Sequence, residues 1–376
     1  MIKEDSKSIF ILAGEPSGDN IGTDLIRSLQ RLSKFKIYGV GGSNMRQVGL
    51  NSIFPMSDIS VMGFADVIKR LPKLLWRIRQ VVNFIIKSSP DVVVLIDSQE
   101  FSYLVAKQLR KRNYSKPILL YVAPAVWAWK PERAIKLEKV FDEILAIFPF
   151  EVEVMKNLRG PKTSYVGHPL LQKLKQDNAK ETKEKSIIAI YPGSRKGEIR
   201  RHLPVFLQIL QRLKNETSIE EFVLPTLPHL EDEIKRQVSG LDISIKVISD
   251  STERQDALNK TKFAIVSSGT ITLELALEGI AMVGTYIPDN MQMRHFKKAG
   301  MPLVSLPNIL LDKEVIPEVF PDNNLTDNLY KFAKELLVND NARDLQKQSF
   351  QKMTTILQTG QASKKQDPAS RVISHL

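Results

Sequence analysis

Two parts of the first half carry residue types suited to chemistry: the segment AGEPSGD, residues 13–19, and the aspartate that ends PDVVVLID, residues 90–97. The first follows the apolar run Ser8–Leu12 and precedes a helix-like stretch from Asn20 to Leu32. A strand that breaks at Gly14 and Gly18 before a helix presents free backbone N–H groups, which suits phosphates and sugars. A dinucleotide fingerprint is excluded, since G-x-G-x-x-G needs three glycines at fixed offsets and this loop has two. Glu15 and Asp19 would repel a pyrophosphate, so the loop, with Ser17, is expected to handle a hydroxylated group beside a phosphate site. The plainer alternative is an ordinary turn with Asp19 as helix N-cap. Asp97, at the carboxyl end of a buried strand, is placed for general-base work, where desolvation raises a carboxylate's pKa. The next strand runs into VAPAVWAWK, residues 122–130, whose Trp127 and Trp129 read equally well as a sugar or lipid wall and as packing. His168, in GHPLL, falls at the expected hinge of a cleft, although a lone histidine is more often structural.

In the second half, the strand IIAIY runs into PGSRKGEI, where Gly193 and Ser194 offer backbone N–H groups and Arg195 a positive charge for a pyrophosphate. A second turn of the same type is SSGTITLE, with Ser268, Gly269 and Thr270 opening a helix and Glu274 one turn further in, able to accept both ribose hydroxyls. Two such turns on successive units are a stronger signal than either alone. The P-loop pattern G-x-x-x-x-G-K-[ST] is absent. The chain has no cysteine, which removes disulfides, thiolate zinc sites and cysteine nucleophiles, and its 5 histidines show no H-x-x-x-H spacing, so a histidine-based metal site is not expected; no cofactor is expected either.

These residues need a scaffold, and the apolar pattern describes one. Short apolar runs alternate with amphipathic stretches, the pattern of an α/β protein with parallel sheets flanked by helices. Strands are predicted near 8–13, 36–40, 91–96, 117–122, 143–147 and 163–166, then near 186–191, 220–224, 243–248, 262–266 and 281–285. Between the two series lies QKLKQDNAKETKEK, 172–185, nearly free of large apolar residues and the best domain boundary. Residues 1–171 and 186–324 are thus expected to form two Rossmann-like, doubly wound domains facing a cleft. Helices from 325 to 376 would pack back on the first domain or on a second subunit, which admits a homodimer. A length of 376 residues suits two such domains. The N-terminal apolar run is too short for a signal peptide and no stretch approaches about 18 uninterrupted apolar residues, so a cytoplasmic, non-spanning protein is expected.

The net charge is +12, and residues 61–140 alone hold 15 Lys or Arg against 6 Asp or Glu. With no interleaved aromatics and glycines, and no basic region leading into heptads, a nucleic-acid partner is not expected. The stretch from 61 to 86 points elsewhere. Pro72 is expected in the first turn of a helix, with Leu74, Leu75, Ile78, Val82 and Ile85 as one stripe and Val67, Ile68 and Leu71 extending the apolar surface. From 64 to 79, Trp76, the leucines and 5 basic residues make the mixture an interfacial membrane helix needs. After Val81 a core-facing helix is the simpler reading.

Taken together and in order, AGEPSGD, VMGFADV, VAPAVWAWK, FPFE, GHPLL, PGSRKGEI, SSGTITLE and SLPNILL resemble the lipid-A-disaccharide synthase family from about residue 8 to 320. The resemblance implies an inverting, metal-independent glycosyltransferase of the two-domain B type, peripheral on the cytoplasmic face of the inner membrane. It implies transfer of 2,3-diacylglucosamine from UDP-2,3-diacylglucosamine to the 6-hydroxyl of 2,3-diacylglucosamine 1-phosphate. By the same resemblance Asp97 becomes the base, and Glu15 with the loop Gly14–Asp19, including Ser17 and Gly18, lines the cleft near the donor sugar. Ser194, Arg195, Ser268, Gly269, Thr270 and Glu274 would hold UDP, and Asn308 of SLPNILL would close the site. The chain departs from the family's usual Asp-x-Pro-Asp-Phe-Asn, having Asp97-Ser98-Gln99-Glu100-Phe101-Ser102, and the segment after Tyr286 matches poorly. Competing readings are a UDP-N-acetylglucosamine epimerase, a peptidoglycan-precursor transferase, and a catalytically silent membrane or nucleic-acid binder.

Overall fold

The computed structural model describes residues 7–60, 64–127, 130–171, 186–217, 219, 221–289, 293, 303–361 and 363–376, with backbone alone for 64–69. The linker 172–185, Trp129 and the side chains of Val67 and Ile68 lie outside the described residues, as does most of 287–302. The chain divides into two compact units, Met1–Pro169 with Ile356–Leu376, and Leu170–Thr355.

The first unit alternates β1 (Ser8–Ala13), α1 (Pro16–Leu32), β2 (Lys36–Val40), α2 (Ser43–Gln47), β3 (Asn51–Ser52), α3 (Phe64–Ser88), β4 (Val92–Ile96), α4 (Gln99–Lys111), β5 (Ile118–Tyr121), α5 (Arg133–Glu138), β6 (Glu143–Ala146), α6 (Phe150–Asn157) and β7 (Lys162–Tyr165). Its strands form one parallel sheet in the order β3-β2-β1-β4-β5-β6-β7. Both faces are covered, which is why the strands read as unbroken apolar runs. Phe10 and Leu12 face a core shared with Ile78 and Val82 of α3 and Val105 and Leu109 of α4. Ile9, Ile11 and Ala13 face a second core with Leu25 and Leu29 of α1.

The second unit comprises β8 (Ile187–Tyr191), α7 (Lys196–Glu216), β9 (Phe222–Pro225), α8 (Glu231–Val238), β10 (Ile245–Ile248), α9 (Ser251–Lys260), β11 (Thr261–Ser267), α10 (Thr270–Leu277), β12 (Ala281–Thr285), α11 (Leu306–Leu311), β13 (Glu318–Val319) and α12 (Leu325–Val338). Its parallel sheet runs β10-β9-β8-β11-β12-β13. The two-residue strands β3 and β13 were not anticipated, being too short for any periodicity to show.

Three expectations are corrected. The helix after β1 begins at Pro16, not Asn20, so residues read as loop are its first turn; proline is at ease there because its missing N–H has no partner to lose. Pro72 lies inside α3, eight residues past its start. The C-terminal region does not act as one body: Leu329, Tyr330, Ala333, Leu336 and Leu337 put α12 in the second unit's core. The chain changes unit within α13 (Asp340–Thr359), at Ile356, before ending in α14 (Pro368–Ile373). Fully buried Glu143 of β6 secures that end, accepting from Arg371, Ser164 and His375. Burial opposes the charge, but Arg371 and the other donors outweigh it and hold the carboxyl below its usual range.

Candidate active site

Ligands of open α/β sheets bind beyond the carboxyl ends of the strands, where the strand order reverses. In the first unit that place is the β1/β4 junction, so the turn after Ala13 and the turn after Ile96 are neighbours. Asp97 has φ 52 and Ser98 φ 42, two consecutive left-handed residues that are not glycine. Val122, at the end of adjacent β5, has φ 76, an outlier for a β-branched residue. Strain of this kind gathers at functional sites. The Asp97 N–H donates to Tyr121 O (2.9 Å) and Ser102 Oγ donates to Asp97 O (2.8 Å). Ser17 Oγ donates to Asp97 Oδ2 at 3.3 Å, joining the two expected loops. Asp97 is partly exposed rather than enclosed, contrary to the desolvated setting expected for it, while Glu15, Pro16 and Ser17 are exposed.

Other residues of the first loop turn inward. Asp19 is 3 % exposed and accepts from the backbone N–H groups of Gly42 (2.7 Å), Asn44 (3.0 Å) and Met45 (3.1 Å). It therefore caps α2, and is neither a cleft residue nor the cap of its own helix. Gly18 packs its backbone against Ala13 and Ile96, where a Cβ would lie 3.3 Å from the alanine methyl; it is a packing glycine, not a ligand contact. His168 is buried beside Phe148, ring centroids 5.0 Å apart, and burial pushes it down to about 4, so it stays neutral near pH 7. Trp127 packs edge-on against Phe150 at 5.4 Å. Of the expected cleft residues, Gly14 and Ser17 meet the Asp97 turn; Asp19, Gly18 and His168 serve the fold.

In the second unit the order reverses at β8/β11, and there a pocket of about 330 Å³ opens. Gly193, Ser194 and Arg195 line it together with Ser268, Gly269, Thr270 and Glu274. Positive φ at Gly193 (125) and Gly269 (122) explains glycine in each turn. Asn308 is elsewhere: fully buried, its amide donates to Ile316 O and Glu318 Oε1, and its Oδ1 accepts from Val315 and Ile316 N–H. With its hydrogen bonds spent inside the fold, it fixes the segment after α11 and does not hold a nucleotide.

The family model for lipid-A-disaccharide synthetase matches residues 9–372. A lipid-A-disaccharide synthase of Rhodopseudomonas palustris is 37% identical over 374 residues, covering 97% of this chain and 94% of that protein. One of Bradyrhizobium diazoefficiens is 36% identical over 95% of this chain and 94% of that protein. The chain belongs to the lipid-A-disaccharide synthase family. It is a glycosyltransferase that uses a UDP-sugar donor and a sugar-phosphate acceptor. Solved structures with a similar fold are a Listeria monocytogenes protein described as a putative UDP-N-acetylglucosamine 2-epimerase (TM-score 0.62, 12% identity, 94% of this chain and 95% of that one) and Acinetobacter baumannii MurG (TM-score 0.51, 15% identity, 94% and 99%). At that identity they show the glycosyltransferase B fold alone.

Two further residues, not singled out by the motifs, line the second unit's pocket. Glu198 accepts from Ser194 N–H (3.0 Å) and Arg195 (2.8 Å), engaging donors a phosphate would use. Arg195 is largely exposed, so that pair is weak and open to exchange. Arg254, from the polar helix α9, pairs with Glu274 at 2.9 Å in the pocket wall. The signal for Glu198 was its acidic type in the first turn after PGSR; Arg254 had none.

On α3, Leu71, Leu75 and Trp76 are exposed by 46 to 54 %, whereas Leu74 is 9 % exposed and packs in the core with Ile78, Val82 and Ile85. Leu74 is thus corrected from docking surface to core, while Leu75, expected on the docking surface, is exposed. Lys73 and Arg77, two of the 5 basic residues of 64–79, both bind Asp58 and hold its carboxyl below the usual range. Arg70 and Arg79 remain exposed. No helix among the described residues is long and apolar enough to cross a membrane.

Proposed function

We propose that this glycosyltransferase moves 2,3-diacylglucosamine from its UDP donor to the 6-hydroxyl of 2,3-diacylglucosamine 1-phosphate, with inversion and without metal. The observation that carries the assignment of the base is the left-handed turn at Asp97, hydrogen-bonded to Ser17 of the first loop. Asp97 takes the proton of the acceptor hydroxyl as its oxygen bonds to the donor's anomeric carbon. The bond from that carbon to the β-phosphate breaks, and its electron pair leaves with UDP. Base catalysis of this kind contributes roughly 10² to 10⁴ in rate. Arg195, the N–H groups of the Ser194 and Ser268–Thr270 turns and the start of α10 offset the charge on UDP, and Glu274 holds the ribose. Glu15 lies beside the donor sugar.

Each buried acyl CH₂ stabilises membrane residence by about 0.8 kcal/mol, so diacyl substrates stay in the bilayer and the enzyme comes to them. Leu71, Leu75 and Arg79 follow at four-residue spacing with Trp76 and Arg70 beside them, which supports peripheral docking to the anionic cytoplasmic face of the inner membrane. Purified protein given both lipids in mixed micelles with a metal chelator is expected to form the tetraacyl disaccharide 1-phosphate, read by mass spectrometry. Protein that binds UDP but yields no disaccharide would move the acceptor to another class.

A further inference from the structure

Two hydroxyls in the wall of the second unit's pocket are buried and unpaired. Tyr191 ends β8 and is 6 % exposed; Thr226 directly follows β9. The phenolic oxygen of Tyr191 and Oγ1 of Thr226 are both shut off from solvent with no hydrogen-bond partner, and both residues line the pocket formed by the two glycine turns. Native proteins leave few such groups unsatisfied, and each calls for an explanation. Arg254 and Glu274, the pair proposed to face the ribose, line the same pocket. Neither residue belongs to a turn that the motifs single out, since each reads in the sequence as a strand end.

We infer that the Tyr191 and Thr226 hydroxyls are contacts of the donor site, completed when a uridine nucleotide enters, and that they orient the nucleotide against the two turns. The inference rests on reading this pocket as the UDP site. A hydroxyl that is unsatisfied in the free protein and satisfied in the complex has an unusual mutational signature. Removing it spares or strengthens the free fold and weakens the complex. A hydroxyl that merely packs affects neither, and one that supports the fold lowers both.

The test is calorimetric titration of UDP into wild type, Tyr191→Phe and Thr226→Val, both near-isosteric, with the melting temperature of each ligand-free protein. Each variant is expected to bind UDP about tenfold more weakly, the worth of one hydrogen bond, with a ligand-free melting temperature equal to or above that of wild type. UDP affinity unchanged in both variants would overturn the inference while leaving the UDP reading intact. Ligand-free melting temperatures that fall along with affinity would overturn it too, by assigning the hydroxyls to the fold. Wild type that fails to bind UDP would overturn the reading of the pocket and, with it, this inference.

Discussion

Asp97 and Ser98 are held left-handed by their surroundings, at a cost of about 1–3 kcal/mol each. The hydrogen bonds to Tyr121 and Ser102 fix one side of the turn, and Gly14 leaves room on the other: a Cβ there would lie 2.1 Å from Ser98 Oγ and 2.9 Å from its Cβ. Gly14→Ala is expected to displace the turn, lower turnover and cost about 1–3 kcal/mol of stability by overpacking, measurable by denaturant unfolding beside product assays. The same unit buries two titratable groups of opposite habit. Burial pushes Glu151 up to about 8 against hydrogen bonds from Phe148 and neighbouring donors. The unfolded chain releases that proton near 4.5, so stability present below pH 4.5 is lost as pH rises toward 8. His168 works at the other end: the unfolded chain binds its proton below 6.5 and the fold only near 4, so stability is lost as pH falls through that window. Glu151→Gln is therefore expected to raise the melting temperature more at pH 8 than at pH 5; a difference independent of pH would count against a neutral buried acid.

At the scale of the element, α3 is the most divided helix. Leu74, Ile78, Val81, Val82 and Ile85 face the core, and Leu71, Leu75 and Trp76 face solvent. Replacing Leu71, Leu75 and Trp76 with Ser is expected to abolish flotation with anionic liposomes and leave UDP binding and the melting temperature near wild type. Leu74→Ala should instead cost about 2–5 kcal/mol of stability, with flotation retained by the folded fraction. Flotation unchanged in the triple variant would remove α3 as the docking element. The sequence showed that apolar and basic residues mix here but could not divide Leu74 from Leu75. Both fit a broad apolar stripe, and which one is buried depends on how the helix is rotated against the sheet. Asp58, which pairs with both Lys73 and Arg77, lies outside the helix pattern altogether.

For the whole molecule, both sheets were legible because buried parallel strands are short apolar runs bounded by turn residues. Both glycine turns were legible because a positive φ restricts the residue that fills it. What escaped were contacts between distant segments: Asp19 capping a helix that begins at Ser43, Asn308 saturated by Val315, Ile316 and Glu318, and Glu143 holding Arg371. A polar residue near a loop reads as a ligand contact until the backbone groups it serves are located. In the proposed reaction, proton abstraction falls at the β1/β4 junction of the first unit and nucleotide binding at the β8/β11 junction of the second. Measuring turnover and UDP affinity of Asp97→Asn tests that division most directly. Turnover is expected to fall by roughly 10² to 10⁴ with UDP affinity unchanged. Turnover within about threefold of wild type, well short of what a general base contributes, would contradict it.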